Sequence, residues 1–214
     1  SGGQQQRASL PRPIVSKPLL LLFDEPLSNL DLKLREHMRV ELKRIQNEVG
    51  ITSVYVTHDQ SEALVMSDEI IVMSKGQIEQ RGGPREIYAR PVNRYVSNFI
   101  GVANLLDGHV SRVDGSGSGS VSVSHGGTNV EVACQLSDGL EQGSETVLSV
   151  RPENVHAIRE NDGGDCFEGE VLEAVFLGSY VDCRVRWGDF EWKVIAHPRD
   201  RLRKGEKVFL KLDP

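Results

Sequence analysis

A chain of 214 residues, 38% hydrophobic and 26% charged with a formal net charge of -6, has the composition of an ordinary globular protein and the length of one large domain or two small ones. The acidic balance argues against a groove lined by Lys and Arg for nucleic-acid phosphates, so no nucleic acid is expected as a partner. No apolar stretch approaches the ~20 residues that span a bilayer, and the first residues lack the apolar core of a signal peptide; any membrane association is expected to come through a partner.

In chain order, Ser1-Gly2-Gly3-Gln4 reads as a helix start in which the glycines let backbone N–H groups approach an anion. Residues 19–23, Leu-Leu-Leu-Leu-Phe, form an uninterrupted apolar run between Pro18 and Asp24, which predicts a strand buried on both faces of a parallel sheet. Ligands bind at the carboxyl ends of such strands. From residue 32 to 49, Leu34, Met38, Leu42, Ile45 and Val49 recur three or four apart, predicting an amphipathic helix capped by Asp31 and ended by Gly50. Residues 53–56 predict a second buried strand, 60–66 a short helix, and 69–73 a third strand turning at Lys75-Gly76. That alternation marks an α/β layer. Short helices follow at 84–88 and 95–100.

Beyond Leu106 the texture changes. Residues 115–120, Gly-Ser-Gly-Ser-Gly-Ser, read as a flexible turn or linker. Around them stand short alternating segments, Val121/Val123 and Val130/Val132, then 147–150, 169–176, 180–187, 190–195 and 207–212, which predict a small β-barrel or sandwich. The domain boundary is placed near 103–106, giving domains 1–104 and 105–214. Cys134, Cys166 and Cys183 lack ligand spacing and read as reduced structural thiols.

The chemistry concentrates in the first domain. Asp24 ends a buried strand, where a carboxylate holds Mg2+ through water while the metal bridges nucleotide phosphates. Glu25, next in the chain, suits a base for an attacking water. His58, in Val56-Thr57-His58-Asp59, follows the second strand and falls on the same sheet edge; a His there donates to a γ-phosphate or fixes the catalytic carboxylate. His37, His109, His125, His156 and His197 read as surface histidines.

Ser1-Gly2-Gly3-Gln4-Gln5-Gln6-Arg7, Leu22-Phe23-Asp24-Glu25-Pro26 and Val56-Thr57-His58-Asp59-Gln60 resemble the signature motif, the Walker B strand and the switch histidine of ABC-type ATPases. The resemblance implies ATP and Mg2+ as cofactors. It also implies a head-to-tail homodimer in which Ser1, Gly2, Gly3 and Gln4 contact the nucleotide held by the second ATPase subunit, with Asp31 in the loop crossing that interface. Residues 83–91 and 95–101 resemble the segment joining such a domain to a C-terminal transport-associated (TOBE) domain of OB type, and Val150-Arg151-Pro152-Glu153-Asn154 and Phe176-Leu177-Gly178 match short signatures of that domain. The expected fold is the C-terminal part of a P-loop-type ABC nucleotide-binding domain, α/β, followed by a small OB-like β-barrel.

This architecture is typical of ATPase subunits of bacterial importers for polyamines, ferric iron, sulfate and maltose, and Ile100-Gly101-Val102-Ala103-Asn104 is closer to the polyamine and iron members. Expected partners are an integral membrane permease and, indirectly, a periplasmic or surface solute-binding protein. The expected location is peripheral, on the cytoplasmic face of the inner membrane. Two departures stand out. Leu10-Pro11-Arg12-Pro13 interrupts a segment that the family makes helical, and each interior Pro costs ~3 kcal/mol in a helix. The family's glycine-rich phosphate loop is absent from these residues, so the chain alone is expected to bind ATP negligibly and to be an active ATPase only with an upstream half. The alternative is a non-catalytic regulatory or assembly module, or a degenerate fragment.

Overall fold

The computed structural model describes residues 18–115, 117–125, 127–161 and 166–213. These fall into two compact units, one of residues up to 92 with 99–101, the other of 93–98 with 102–213.

In the first unit, β1 (Leu20–Asp24) and β2 (Thr52–Val56) pair in parallel, Leu20 opposite Thr52 and Asp24 opposite Val56. Helix α1 (Leu32–Val49) crosses between them, as a parallel pair requires. Asp31 Oδ1 accepts the Leu34 N–H at 3.0 Å, and Gly50 closes the helix at φ 67°, so both predicted caps are present. Helix α2 (Gln60–Met66) starts at Asp59, whose side chain accepts from the amides of Ser61 and Glu62. The core of this unit is small: Leu27, Leu30, Leu42 and Met66, with Phe23 and Tyr55 packed against it.

The expectation that residues 19–23 and 53–56 are buried on both faces does not hold. Leu21 is buried, but Leu22 is 72% exposed and Val54 49% exposed. Among the described residues β1 and β2 pair only with each other, so one face meets the core under α1 and the other has no cover. Nor does the third strand join them. β3 (Ile70–Ser74) forms an antiparallel hairpin with β4 (Gln77–Gly82). Its turn places Lys75 at φ 49° and Gly76 at φ 78°, the two positive angles that match the twist of a hairpin. Helix α3 (Pro84–Ala89) follows, and buried Gln80 fixes its exit by donating to Arg90 O and accepting from Val92 N.

Helix α4 (Arg94–Phe99) leads into the second unit. There β5 (Asn104–Asp114), β6 (Ser118–His125), β7 (Thr128–Gln135) and β8 (Glu145–Val150) form a four-stranded sheet ordered β7-β6-β5-β8. A five-stranded sheet, ordered β12-β11-β10-β13-β9, is built from β9 (Val155–Ile158), β10 (Cys166–Phe176), β11 (Val181–Trp187), β12 (Phe190–Ala196) and β13 (Lys207–Leu212). One hydrophobic core serves both sheets, running from Leu106, Val121 and Leu148 to Val171, Trp192 and Leu210. This is a curled, OB-like β fold.

The Gly/Ser stretch is not a linker. β5 and β6 pair through it, Asp114 opposite Ser118, and a Cβ on Gly119 would lie 2.2 Å from Arg112 O, so only glycine permits that approach. Asn104, 4% exposed, replaces a missing strand partner: Lys193 N donates to its Oδ1 at 2.7 Å and its Nδ2 donates to Lys193 O at 2.9 Å. Arg151 is also buried, donating to Ser97 O and Val102 O. The thiol of Cys183 is buried and pushed up to about 11, first by burial and then by Asp182 and Asp200, which keeps it protonated and inert.

Candidate functional site

The parallel ladder delivers two side chains to one place. β1 ends at Asp24, exposed at the carboxyl end of the sheet, and Glu25 N still donates to Val56 O at 2.9 Å. The chain then turns sharply. Glu25 adopts φ 45°, a left-handed conformation that costs a non-glycine residue roughly 1–2 kcal/mol. The turn is fixed by Ser28, whose amide and hydroxyl both donate to Glu25 O, at 3.2 and 2.9 Å. Leu27, fully buried, and Leu30 anchor the loop in the core, while Asp31 ends it as the cap of α1. Hydrophobic anchors thus hold a strained turn that presents Glu25.

From β2 the chain passes through Thr57 to His58. The imidazole Nδ1 lies 2.9 Å from Glu25 Oε1, with His58 71% and Glu25 44% exposed. A neutral imidazole bonded in this way donates from Nδ1 and leaves Nε2 as acceptor; once protonated, Nε2 is a second donor. The hydrogen bond to Glu25, and next its charge, raise the His58 pKa above the ordinary imidazole value, with smaller contributions from Glu62 and Asp59. The pair therefore favours a cationic imidazole beside a carboxylate, both accessible from solvent.

Behind this pair lies a charged network that the sequence analysis did not single out. Asp59 divides its carboxylate. Oδ1 caps α2 through the amides of Ser61 and Glu62, and Oδ2 meets Arg39 at 3.2 Å and Arg35 at 3.5 Å. Arg35 also donates to Ser28 O at 3.2 Å and Leu30 O at 3.0 Å. Thr57 Oγ1 accepts from Asp59 N and donates to buried Glu62 at 2.8 Å. Near that carboxylate, burial first and Glu62 second raise the pKa of Tyr55. The available signal was the i, i+4 pair Arg35/Arg39 on the same helix as the predicted apolar stripe, followed later in the chain by the Asp-Gln-Ser-Glu start of α2 at residues 59–62.

Among the predicted site residues, Asp24 ends β1, Glu25 and Asp31 lie on the loop that follows it and His58 on the loop that follows β2, and the structure joins Glu25 to His58. Ser1, Gly2, Gly3 and Gln4, together with Pro11 and Pro13, lie outside the described residues. No group of three or more His, Cys, Asp or Glu able to hold a metal occurs among the described residues. A lone exposed Asp24 nevertheless suits Mg2+, which keeps several waters and is bound by one or two carboxylates plus substrate phosphates.

A TOBE domain family matches residues 148–214, which begin in β8 and include the whole five-stranded sheet. The chain is 48% identical to the spermidine/putrescine import ATP-binding protein PotA of Frankia alni, over 85% of the chain and 40% of that protein. It is 45% identical to PotA 1 of Pseudomonas aeruginosa, over 95% of the chain and 54% of the relative, and 40% identical to PotA of Acetivibrio thermocellus, over 100% and 57%. The chain spans about half the length of these curated relatives. With a TOBE domain at residues 148–214 and these relatives over nearly its whole length, the chain matches the C-terminal region of the ATP-binding subunits of ABC importers.

Proposed function

We propose that this chain is part of an ATP-hydrolysing subunit that powers polyamine uptake through an ABC importer, with residues 1–104 contributing to the nucleotide site and 105–214 forming the transport-associated domain. The observation that carries the reading is the 2.9 Å contact between His58 Nδ1 and Glu25 Oε1, which orders a base and a proton donor at the carboxyl end of the parallel pair. In this reading Glu25 accepts a proton from the attacking water. His58, held by Glu25 through Nδ1, offers its Nε2 proton to the γ-phosphate. Asp24 would hold Mg2+, which neutralises charge on the phosphates when bound. Ser1, Gly2, Gly3, Gln4 and Asp31 serve the nucleotide of a second subunit across a homodimer interface.

The polyamine assignment follows from the relatives' names, spermidine/putrescine import proteins at 40 to 48% identity. No helix among the described residues is long and apolar enough to cross a membrane; in this reading the subunit is held at the membrane by its permease. The test is ATP hydrolysis by a subunit extended to the relatives' full length and assembled with its permease and solute-binding protein in vesicles. Spermidine or putrescine is expected to stimulate hydrolysis, whereas maltose and ferric iron leave it at the basal rate. Stimulation by one of the latter and not by a polyamine would overturn the assignment.

A further inference from the structure

We propose that Arg35 is a positioning residue, which ties the loop carrying Glu25 to the turn carrying His58 and so sets the geometry of that pair. The inference rests on the hydrolytic role given to the pair above.

Glu25 and His58 lie 33 residues apart in the chain, on loops that leave two different strands. Their exposed side chains meet through one hydrogen bond, and exposed pairs of this kind are worth little by themselves. Something else must hold the loops in register. Arg35 sits on the first turns of α1 and reaches both. Its Nη2 donates to Ser28 O and Leu30 O, two carbonyls on the far side of the turn that presents Glu25. Its Nη1 donates to Asp59 Oδ2 at 3.5 Å, one residue beyond His58. Arg39 grips the same Asp59 oxygen from the next turn of the helix. A planar guanidinium with donors fixed in a fork can satisfy three acceptors on two loops at once; the point charge of a lysine cannot.

Stability does not account for the arrangement. The side chains of Arg35 and Arg39 are only 25% and 11% exposed, and the Nε atoms of both are buried without a hydrogen-bond partner. Burying charge and leaving donors unmet both cost free energy. What the network gives in return is a fixed distance between two loops.

The test reads the Glu25–His58 contact directly, without nucleotide, so its outcome is independent of whether the protein hydrolyses ATP. The His58 imidazole is titrated by 15N NMR in the 214-residue chain and in Arg35→Met, Arg35→Lys and, as a control, Arg44→Met. Three carboxylates act on His58: Glu25, Glu62 and Asp59. Deleting a nearby cation would by charge alone move the His58 midpoint up. Loss of Glu25 from its place moves it down, toward the ordinary imidazole value. The expected result is a lower midpoint in Arg35→Met, a smaller fall in Arg35→Lys, which keeps the charge but not the fork, and no change in Arg44→Met, whose partners are Glu41 and Glu48 on its own helix. A folded Arg35→Met or Arg35→Lys protein with an unchanged or raised midpoint overturns the proposal. If Arg35→Met does not fold, Arg35→Lys decides; if neither folds, Arg35 is a stability residue and the proposal fails.

Discussion

Glu25 carries two separate signs of a demanding position. Its backbone is left-handed, at φ 45°, and its carboxylate is committed to His58 at 2.9 Å. Strained backbone of this kind persists where the surroundings over-determine it, and here Ser28 and Leu27 do so. The His58 pKa is raised in the folded protein. The stabilisation from the charged pair is therefore fully present below the unfolded imidazole pKa, and it is lost as pH rises through the higher folded value. Glu25→Gln removes the charge and weakens the hydrogen bond, so the His58 midpoint is expected to fall; NMR titration of the imidazole measures it, and an unmoved midpoint would show that the contact is not kept in solution. The meeting of Arg35 and Arg39 with Asp59 was not legible in the sequence. Charges at i, i+4 on a helix ordinarily describe a solvated face, and only the fold reveals that Asp59 comes back to meet them.

At the scale of elements, helix α1 was readable because its signals are local: an apolar stripe, Asp31 in front and Gly50 behind. The Asp31→Ala variant is expected to lose about 1 kcal/mol of stability with the cap, seen as a lower urea midpoint by circular dichroism. Strands were harder where the period was masked. β5 hides behind Asp107 and Gly108, and β9 offers only Val-His-Ala-Ile. β4 reads Gln-Ile-Glu-Gln-Arg-Gly, a polar segment that pairs because β3 and a two-residue turn bring it back. The Gly/Ser stretch left a turn and a linker both open, since composition alone does not separate a linker from a turn whose glycines are sterically required. Gly119→Ala is expected to destabilise the β unit by roughly 1–3 kcal/mol through overpacking against Arg112 O, measured from Trp fluorescence in urea. A neutral effect would mean that β5 and β6 separate there at no cost.

At the scale of the whole molecule, the two units differ in how much core each holds. Among the described residues of the first, the principal buried cluster is small, made of Leu27, Leu30, Leu42 and Met66. The second joins two sheets around Phe167, Trp187 and Trp192, with Phe167 ring centroids 4.8 and 5.3 Å from the two indoles. Separate cores of unequal size predict two unfolding transitions in calorimetry, the first from the α/β unit. Both tryptophans belong to the β unit, so Trp fluorescence is expected to follow only the second.

The central claim is that Glu25 and His58 form the hydrolytic pair of an importer ATPase. Its most direct test is the ATP hydrolysis rate of Glu25→Gln in a subunit of the relatives' full length, assembled with its permease. Removing a general base costs about 100- to 10,000-fold, so the rate is expected to fall by at least about 100-fold while ATP still binds. Hydrolysis that continues at the wild-type rate would contradict the account.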